Sequence, residues 1–294
     1  MSFRLEMLQV ARVAPKVLGD STELVESFFR RKHLADGGFE DRQGRSDLYY
    51  TVFGLEGMLA LQAEFDRERS GSFLKRYGSG ETLDFVHLCC LARCHAALKN
   101  EFWSVEQREA FVARLEEFRC EKGGYHSAKG REWGSAYGCL LVAAAYEDTQ
   151  IALPEPEGLK SCLDALRTRD GAWNNERHVP LGTAPATAAA LCLYRRMGWD
   201  VGPEPVRWLF TCFVPEGGCK AFPAAPMPDL LSTAVSLHGL SGAGADLKLV
   251  QESCLDYVDS LWSNEGGFHG NWTDHVLDVE YTYYGLLALG HLTA

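Results

Sequence analysis

The stretch Glu265-Gly-Gly-Phe-His-Gly-Asn-Trp-Thr-Asp-His-Val-Leu-Asp-Val-Glu-Tyr-Thr-Tyr-Tyr-Gly-Leu-Leu-Ala-Leu289 decides how the rest of the chain is read, because copies of it recur upstream. It holds a glycine pair with an aromatic, a polar run, and then a helix without a polar face. A unit of that kind cannot bury its own apolar surface and has to stack on copies of itself.

The clearest copy is Gly37-Gly-Phe-Glu-Asp-Arg-Gln-Gly-Arg-Ser-Asp-Leu-Tyr-Tyr-Thr-Val-Phe-Gly-Leu-Glu-Gly-Met-Leu-Ala-Leu61, which shares the glycine pair, the Asp-x-x-Tyr-Thr and the closing Leu-Ala-Leu. Further copies start at Gly123-Gly-Tyr, Asp170-Gly-Ala-Trp and Glu216-Gly-Gly-Cys. Residues 39, 125, 172, 219 and 268 follow the glycines, so the first gap of 86 holds two units and the others are 47, 47 and 49. The missing unit falls at the degenerate turn Gly78-Ser-Gly80 before Asp84-Phe-Val-His-Leu-Cys-Cys-Leu. Six units result, over about 20–64, 65–99, 104–147, 156–198, 202–242 and 246–294, and a helix over 1–18 packs on them. We read residues 1–294 as one domain.

Amphipathic and wholly apolar helices alternate along the chain. Ser104-Val-Glu-Gln opens an outer helix to Arg119 with a capping box and one apolar face through Phe111, Val112, Leu115 and Phe118. Ala136–Tyr146 has no polar face and belongs inside. The same pairing predicts outer helices over 158–169, 204–213 and 246–262, with inner ones over 184–197, 229–240 and 276–292. Six such hairpins favour closure into an all-α, α/α toroid, with the apolar helices as an inner barrel and the glycine loops gathered at one end of a central cavity.

Composition narrows the function. Of the residues, 46% are hydrophobic and 23% charged, with no apolar run long enough to span a bilayer. The charged N-terminal segment does not read as a signal peptide. A formal net charge of −11, with no stripe of Lys and Arg, disfavours nucleic acid and anionic membrane surfaces. Ten cysteines without a Cys-x-x-Cys, mostly inside apolar helices, behave as small hydrophobes and fit a reducing cytoplasm.

The repeat of a glycine pair, a polar loop, Asp-x-x-Tyr-Thr and an apolar helix resembles that of protein prenyltransferase β subunits and squalene-hopene cyclases, over about residues 20 to 294. The resemblance implies the toroid, an isoprenoid ligand, an α-subunit-like protein partner, and a catalytic zinc held by an Asp, a Cys two residues later and a His in the last repeat. The corresponding aspartate is Asp229, but two residues on stands Leu231, and Tyr281 of Asp278-Val-Glu-Tyr281-Thr282 stands at the histidine. Leucine cannot ligate zinc, so we expect no metal at the family site and no other cofactor. The family's basic diphosphate clamp is reduced to Lys220, and the Asp-x-Asp-Asp acid of the cyclases is absent.

The candidate acid/base residues are Asp229, His275, Asp278 and Glu280, with Asp274, at the cavity mouth in neighbouring repeats. Helix capping is their competing role. Tyr49, Tyr50, Phe53, Tyr137, Tyr281 and Tyr284 recur near the starts of inner helices and are candidates for an aromatic ligand wall, with Asp84 and His87 as a pair spaced i, i+3. Trp133, Trp173 and Trp272 sit in the loops, where they either pin the loop or cover the cavity. The favoured reading is a prenyltransferase β-like protein that holds a prenyl diphosphate, with zinc-dependent transfer altered or lost. The alternatives are a carbohydrate-acting toroid using two cavity carboxylates and a non-catalytic binding or scaffold ring.

Overall fold

The computed structural model describes residues 1–293. Six helices without an exposed face form the inner barrel: α4 (Leu48–Ala60), α6 (Phe85–Ala97), α8 (Ala136–Thr149), α10 (Ala184–Met197), α12 (Leu230–Gly242) and α14 (Val279–Thr293). Each packs on the next and α14 packs back on α4, so the ring is closed. Outside lie α3 (Thr22–Lys32), α5 (Arg67–Lys75), α7 (Val105–Glu116), α9 (Pro156–Leu166), α11 (Glu204–Phe210) and α13 (Gln251–Ser260). The expectation of an all-α toroid of paired helices is met.

The glycine pairs explain why the units stack in one direction. Gly37, Gly123, Gly217 and Gly266 all have positive φ, where only glycine is unstrained. A Cβ on them would lie 2.1 Å from the carbonyl oxygen of Arg69, 2.5 Å from that of Gly158, 1.9 Å from that of Ser253 and 2.1 Å from that of Leu24. Each glycine loop is therefore pressed onto the outer helix of the following unit. The last of these contacts, Gly266 on Leu24 of α3, is the same joint made between the sixth unit and the first.

Several outer helices are shorter than periodicity predicts. The residue six before the one that follows the glycines must leave the helix to pair with it, as in Arg119 with Tyr125 and Phe213 with Cys219. In the first unit Phe39 pairs with His33 in this way and its strand β1 (Phe39–Glu40) also pairs with β2 (Ser46–Asp47), whereas in the last the pairing extends into a short hairpin, β3 (Trp262–Ser263) with β4 (Gly267–Phe268). A 3₁₀ turn over Leu247–Leu249 delays α13. The outer helix of the second unit, α5, buries only Phe73 and Leu74 among its larger apolar side chains, and its apolar pattern is correspondingly faint.

Helix α1 (Phe3–Ala11), followed by the single turn α2 (Pro15–Leu18), seals the end of the barrel opposite the glycine loops. Its partners all lie in the last turns of inner helices. Arg4 pairs with Glu56 at 3.1 Å, which Arg93 also approaches at 3.3 Å, and the Phe3 N–H donates to Glu147 at 2.9 Å. Glu6 pairs with Arg195, and Gly290 of α14 lies against the Val10 carbonyl with no room for a Cβ. Beside this floor, burial pushes the Asp148 carboxyl up to about 7 despite Arg93 and Arg4. All ten cysteines are buried and unpaired, and no helix among the described residues is long and apolar enough to cross a membrane.

Candidate functional site

The Asp-x-x-x-Thr core of the repeat joins loop to helix. Asp47, Asp84, Asp229 and Asp278 each precede an inner helix and accept a backbone N–H of its first turn. Four residues on, Thr51, Thr233 and Thr282 accept the N–H of Phe39, Cys219 and Phe268 at 2.8 to 3.3 Å and donate back to the carbonyls of Asp47, Asp229 and Asp278. One hydroxyl thus fastens each glycine loop to its helix.

Past the caps, side chains of four inner helices converge on the ring axis. Tyr49 of α4 donates from its phenol to Glu280 of α14 at 2.5 Å. Phe53 stands against Tyr49 at 5.1 Å between ring centres and against Tyr284 at 5.4 Å. Burial raises the Tyr49 phenol, and so do the facing groups of Tyr284, Glu280 and Tyr137. Tyr137 of α8 keeps 42% of its surface accessible, yet its phenol is also raised, by burial and by Cys90, Cys89 and Glu280. A ring that water reaches while protein surrounds it lies on the wall of a concavity. Glu280 itself is buried, and desolvation pushes its carboxyl up to about 7, with Asp278 adding to the rise and Tyr49 opposing it. At neutral pH this side chain is poised between acid and base.

Around this bowl the other candidates form a polar rim. Arg42, in the first loop, donates from Nε to Asp278 at 2.7 Å and from a terminal nitrogen to Asp274 at 2.7 Å, with its guanidinium 5.4 Å from the Tyr281 ring centre. Burial raises the Asp278 carboxyl, although Tyr281 N–H and Arg42 counter it. Burial and the nearby Glu280 push the Tyr281 phenol up to about 12, and burial with Asp278 and Glu280 does the same to Tyr50. His87 bridges two caps, 3.2 Å from Asp47 and 2.8 Å from Asp84. The Asp47 hydrogen bond and then Asp84 outweigh burial and lift it to about 9, so it is a fixed cation at neutral pH. Asp229 spends both oxygens on Ser232, at 2.7 Å from its N–H and 2.7 Å from its hydroxyl. His275 is exposed on the sixth loop. The structure thus brings Glu280, Tyr49, Phe53, Tyr137 and Tyr284 together, sets Asp278, Tyr50, Tyr281, Asp84 and His87 around them, places Asp229 within electrostatic reach of Tyr281, and leaves His275 exposed on its loop.

Arg42, Asp47 and Cys90 also belong to the site, and reading the sequence alone passes over them. Arg42 and Asp47 lie in the quoted repeat, but the partner of Arg42 is in the other terminal unit. Of the loop tryptophans, Trp173 donates to the Leu163 carbonyl at 2.8 Å and Trp272 to Ser260 at 2.9 Å, so both pin their loops to outer helices. The family's zinc does not fit here. Leu231 offers no donor atom, Tyr281 stands where the family has its histidine, and among the described residues no three His, Cys, Asp or Glu side chains are placed to hold a metal ion.

A closed double ring of helices, blind at one end and open at the glycine loops, defines an α/α toroid. The chain belongs to the prenyltransferase alpha-alpha toroid domain family, whose model matches residues 7–90 and 187–293. Among solved structures it is similar to protein geranylgeranyltransferase-I of Candida albicans complexed with GGPP (15% identity, TM-score 0.69, 92% of this chain and 90% of that one). It is also similar to the type II terpene cyclase MstE of Scytonema (13%, 0.61, 94% and 96%). A third is an α-1,6-mannanase of a Salegentibacter species in complex with α-1,6-mannotriose (13%, 0.64, 93% and 98%). At such identities the likeness is one of fold. No curated protein matches the chain in sequence.

Proposed function

We propose that the protein binds an isoprenoid, as a prenyl diphosphate, in the bowl at the ring axis, and that Glu280 with Tyr49 handles a proton there in place of zinc chemistry. The observation that carries this reading is one buried carboxyl with a neutral-range affinity for its proton, set among the aromatic side chains of Tyr49, Phe53, Tyr137 and Tyr284. Such a wall offers apolar area to a hydrocarbon chain, and the single carboxyl can give a proton to the bound ligand or take one from an attacking group. Membership of the family and the likeness to two isoprenoid-handling toroids support the same ligand class.

Burying one isoprene unit removes on the order of 100 Å² from water, worth roughly 2–3 kcal/mol before ordering costs, so affinity should rise with chain length. Calorimetric titration with ten-, fifteen- and twenty-carbon prenyl diphosphates tests this on the wild type and on Tyr137→Ala. Affinity that ignores chain length, or a Tyr137→Ala variant that binds as well as wild type, would sink the proposal. Binding of mannose oligosaccharides in their place would favour the carbohydrate alternative.

A further inference from the structure

A cavity of about 350 Å³ opens on the outside of the ring at the joint between the sixth and first units, between the turns at Val17, Leu18 and Ser21 and the face of α13 that carries Leu255, Asp256 and Asp259. At its floor are the buried Phe268 of the sixth loop and Leu289 of the inner helix α14, so it passes through the outer layer of helices to the inner one. The topology leaves this gap. At the other five joints an inner helix runs directly into the next outer helix, whereas here α14 is last in order and α3 is entered from α1 through residues 12–21.

The wall of the cavity is apolar, with Val17 exposed at the rim and Leu18, Leu255 and Trp262 half-buried below it. Its charged groups are Asp256 and Asp259. No Lys, Arg or His lines it, and neither carboxylate is ion-paired among the described residues. The two stand three residues apart on one helix face, where like charges repel. They also lie in the C-terminal half of α13, where the helix dipole disfavours an anion and no basic residue in the last turn offsets it. An apolar pocket edged by two acids in an unfavourable place complements a ligand that is apolar at one end and cationic at the other.

We propose that this cavity binds a cationic amphiphile, an aliphatic chain ending in a protonated amine. The chain enters end-on against Leu255, Phe268 and Leu289. The ammonium sits between Asp256 and Asp259 beside the Trp262 ring, which is fixed edge to face on Phe268 at 5.1 Å between centres. A single chain fits better than a partner helix, because a docked helix would rest on α13 at an axis distance of about 8–10 Å and leave the depth of the cavity unfilled.

Octylamine, titrated calorimetrically into the full chain below its micelle concentration, tests the site, and its outcome is independent of the reading of the bowl. We expect binding that weakens with added salt, falls about fourfold for each CH₂ removed from the buried chain, and is about tenfold or more tighter than that of octanol, with octanoate weakest. Asp256→Asn combined with Asp259→Asn should cancel the preference for the amine and leave octanol unchanged. Both positions are exposed, and this variant should melt no lower than the wild type, whereas removing a structural pair of acids would lower the midpoint. Val17→Trp, at the rim, should close the cavity to amine and alcohol alike. Tyr137→Ala should leave the titration unchanged, and loss of binding there would place the chain in the bowl and overturn the proposal. So would no binding at millimolar concentration, or equal affinity for octylamine and octanoate. A leucine- and lysine-rich helical peptide that binds through the same two aspartates while octylamine does not would assign the cavity to a protein partner and overturn it as well.

Discussion

Tyr49 and Glu280, 231 residues apart, share a hydrogen bond of 2.5 Å across the joint where the last inner helix meets the first. The acid/base candidate of the bowl therefore exists only while the ring is closed.

This carboxyl should make stability fall as pH rises. Its folded affinity is raised from 4.5 to about 7, so below the unfolded value both states are protonated and it costs nothing. Between the two values the folded state holds the extra proton, and above about 7 the full penalty applies, on the order of 3 kcal/mol. Glu280→Gln should match the wild type near pH 4.5 and exceed it by about 2–3 kcal/mol near pH 8 in urea unfolding. A constant difference across that range would show that Glu280 does not titrate this way.

Arg42 ties the first loop to Asp274 and Asp278 of the last unit. Truncating it strands the Asp278 carboxylate, whose side chain is 3% exposed. Arg42→Ala should lose about 3 kcal/mol near pH 7 and less near pH 4, where Asp278 takes up a proton instead. Equal losses at the two values would count against the ion pair.

Gly266→Ala should break the joint between units six and one, because φ is +89° and a Cβ would meet the Leu24 carbonyl at 2.1 Å. The loss should be about 3 kcal/mol or more, whereas Gly44→Ala, also at positive φ but with open space around it, should lose only about 1 kcal/mol. Similar denaturation midpoints for the two variants would mean that the glycine joint carries no packing. Deleting residues 265–294 exposes apolar faces on both neighbours and should yield an aggregating product.

Zinc should not copurify in stoichiometric amount, since Leu231 and Tyr281 replace thiolate and imidazole and leave Asp229 as the one family ligand. Elemental analysis of protein prepared without added metal reads this directly, and one equivalent of zinc would refute it.

The repeat, the number of units and the inner-outer alternation were legible because glycine spacing and helical periodicity are local signals. Helix α5 was faint because so little of its short surface is buried. The capping role of Asp229 is a local hydrogen-bond pattern and competed openly with catalysis in the sequence. The Tyr49–Glu280 bond, the Arg42 clamp and the cavity between Ser21 and α13 join different units, and no periodicity in one unit reports which side chains of another will face it.

The seal at the floor of the barrel has a consequence for the order of folding. Helix α1 is held through Gly290 of α14 and through α4, α8 and α10, so its site is complete only after the final inner helix has docked. Residues 3–11 have to stay undocked while some 280 residues assemble, and contacts of such sequence separation are slow to form. Refolding from denaturant should therefore end in a slow phase in which this helix becomes protected from hydrogen exchange together with α14, and native-state opening should release the two as one unit.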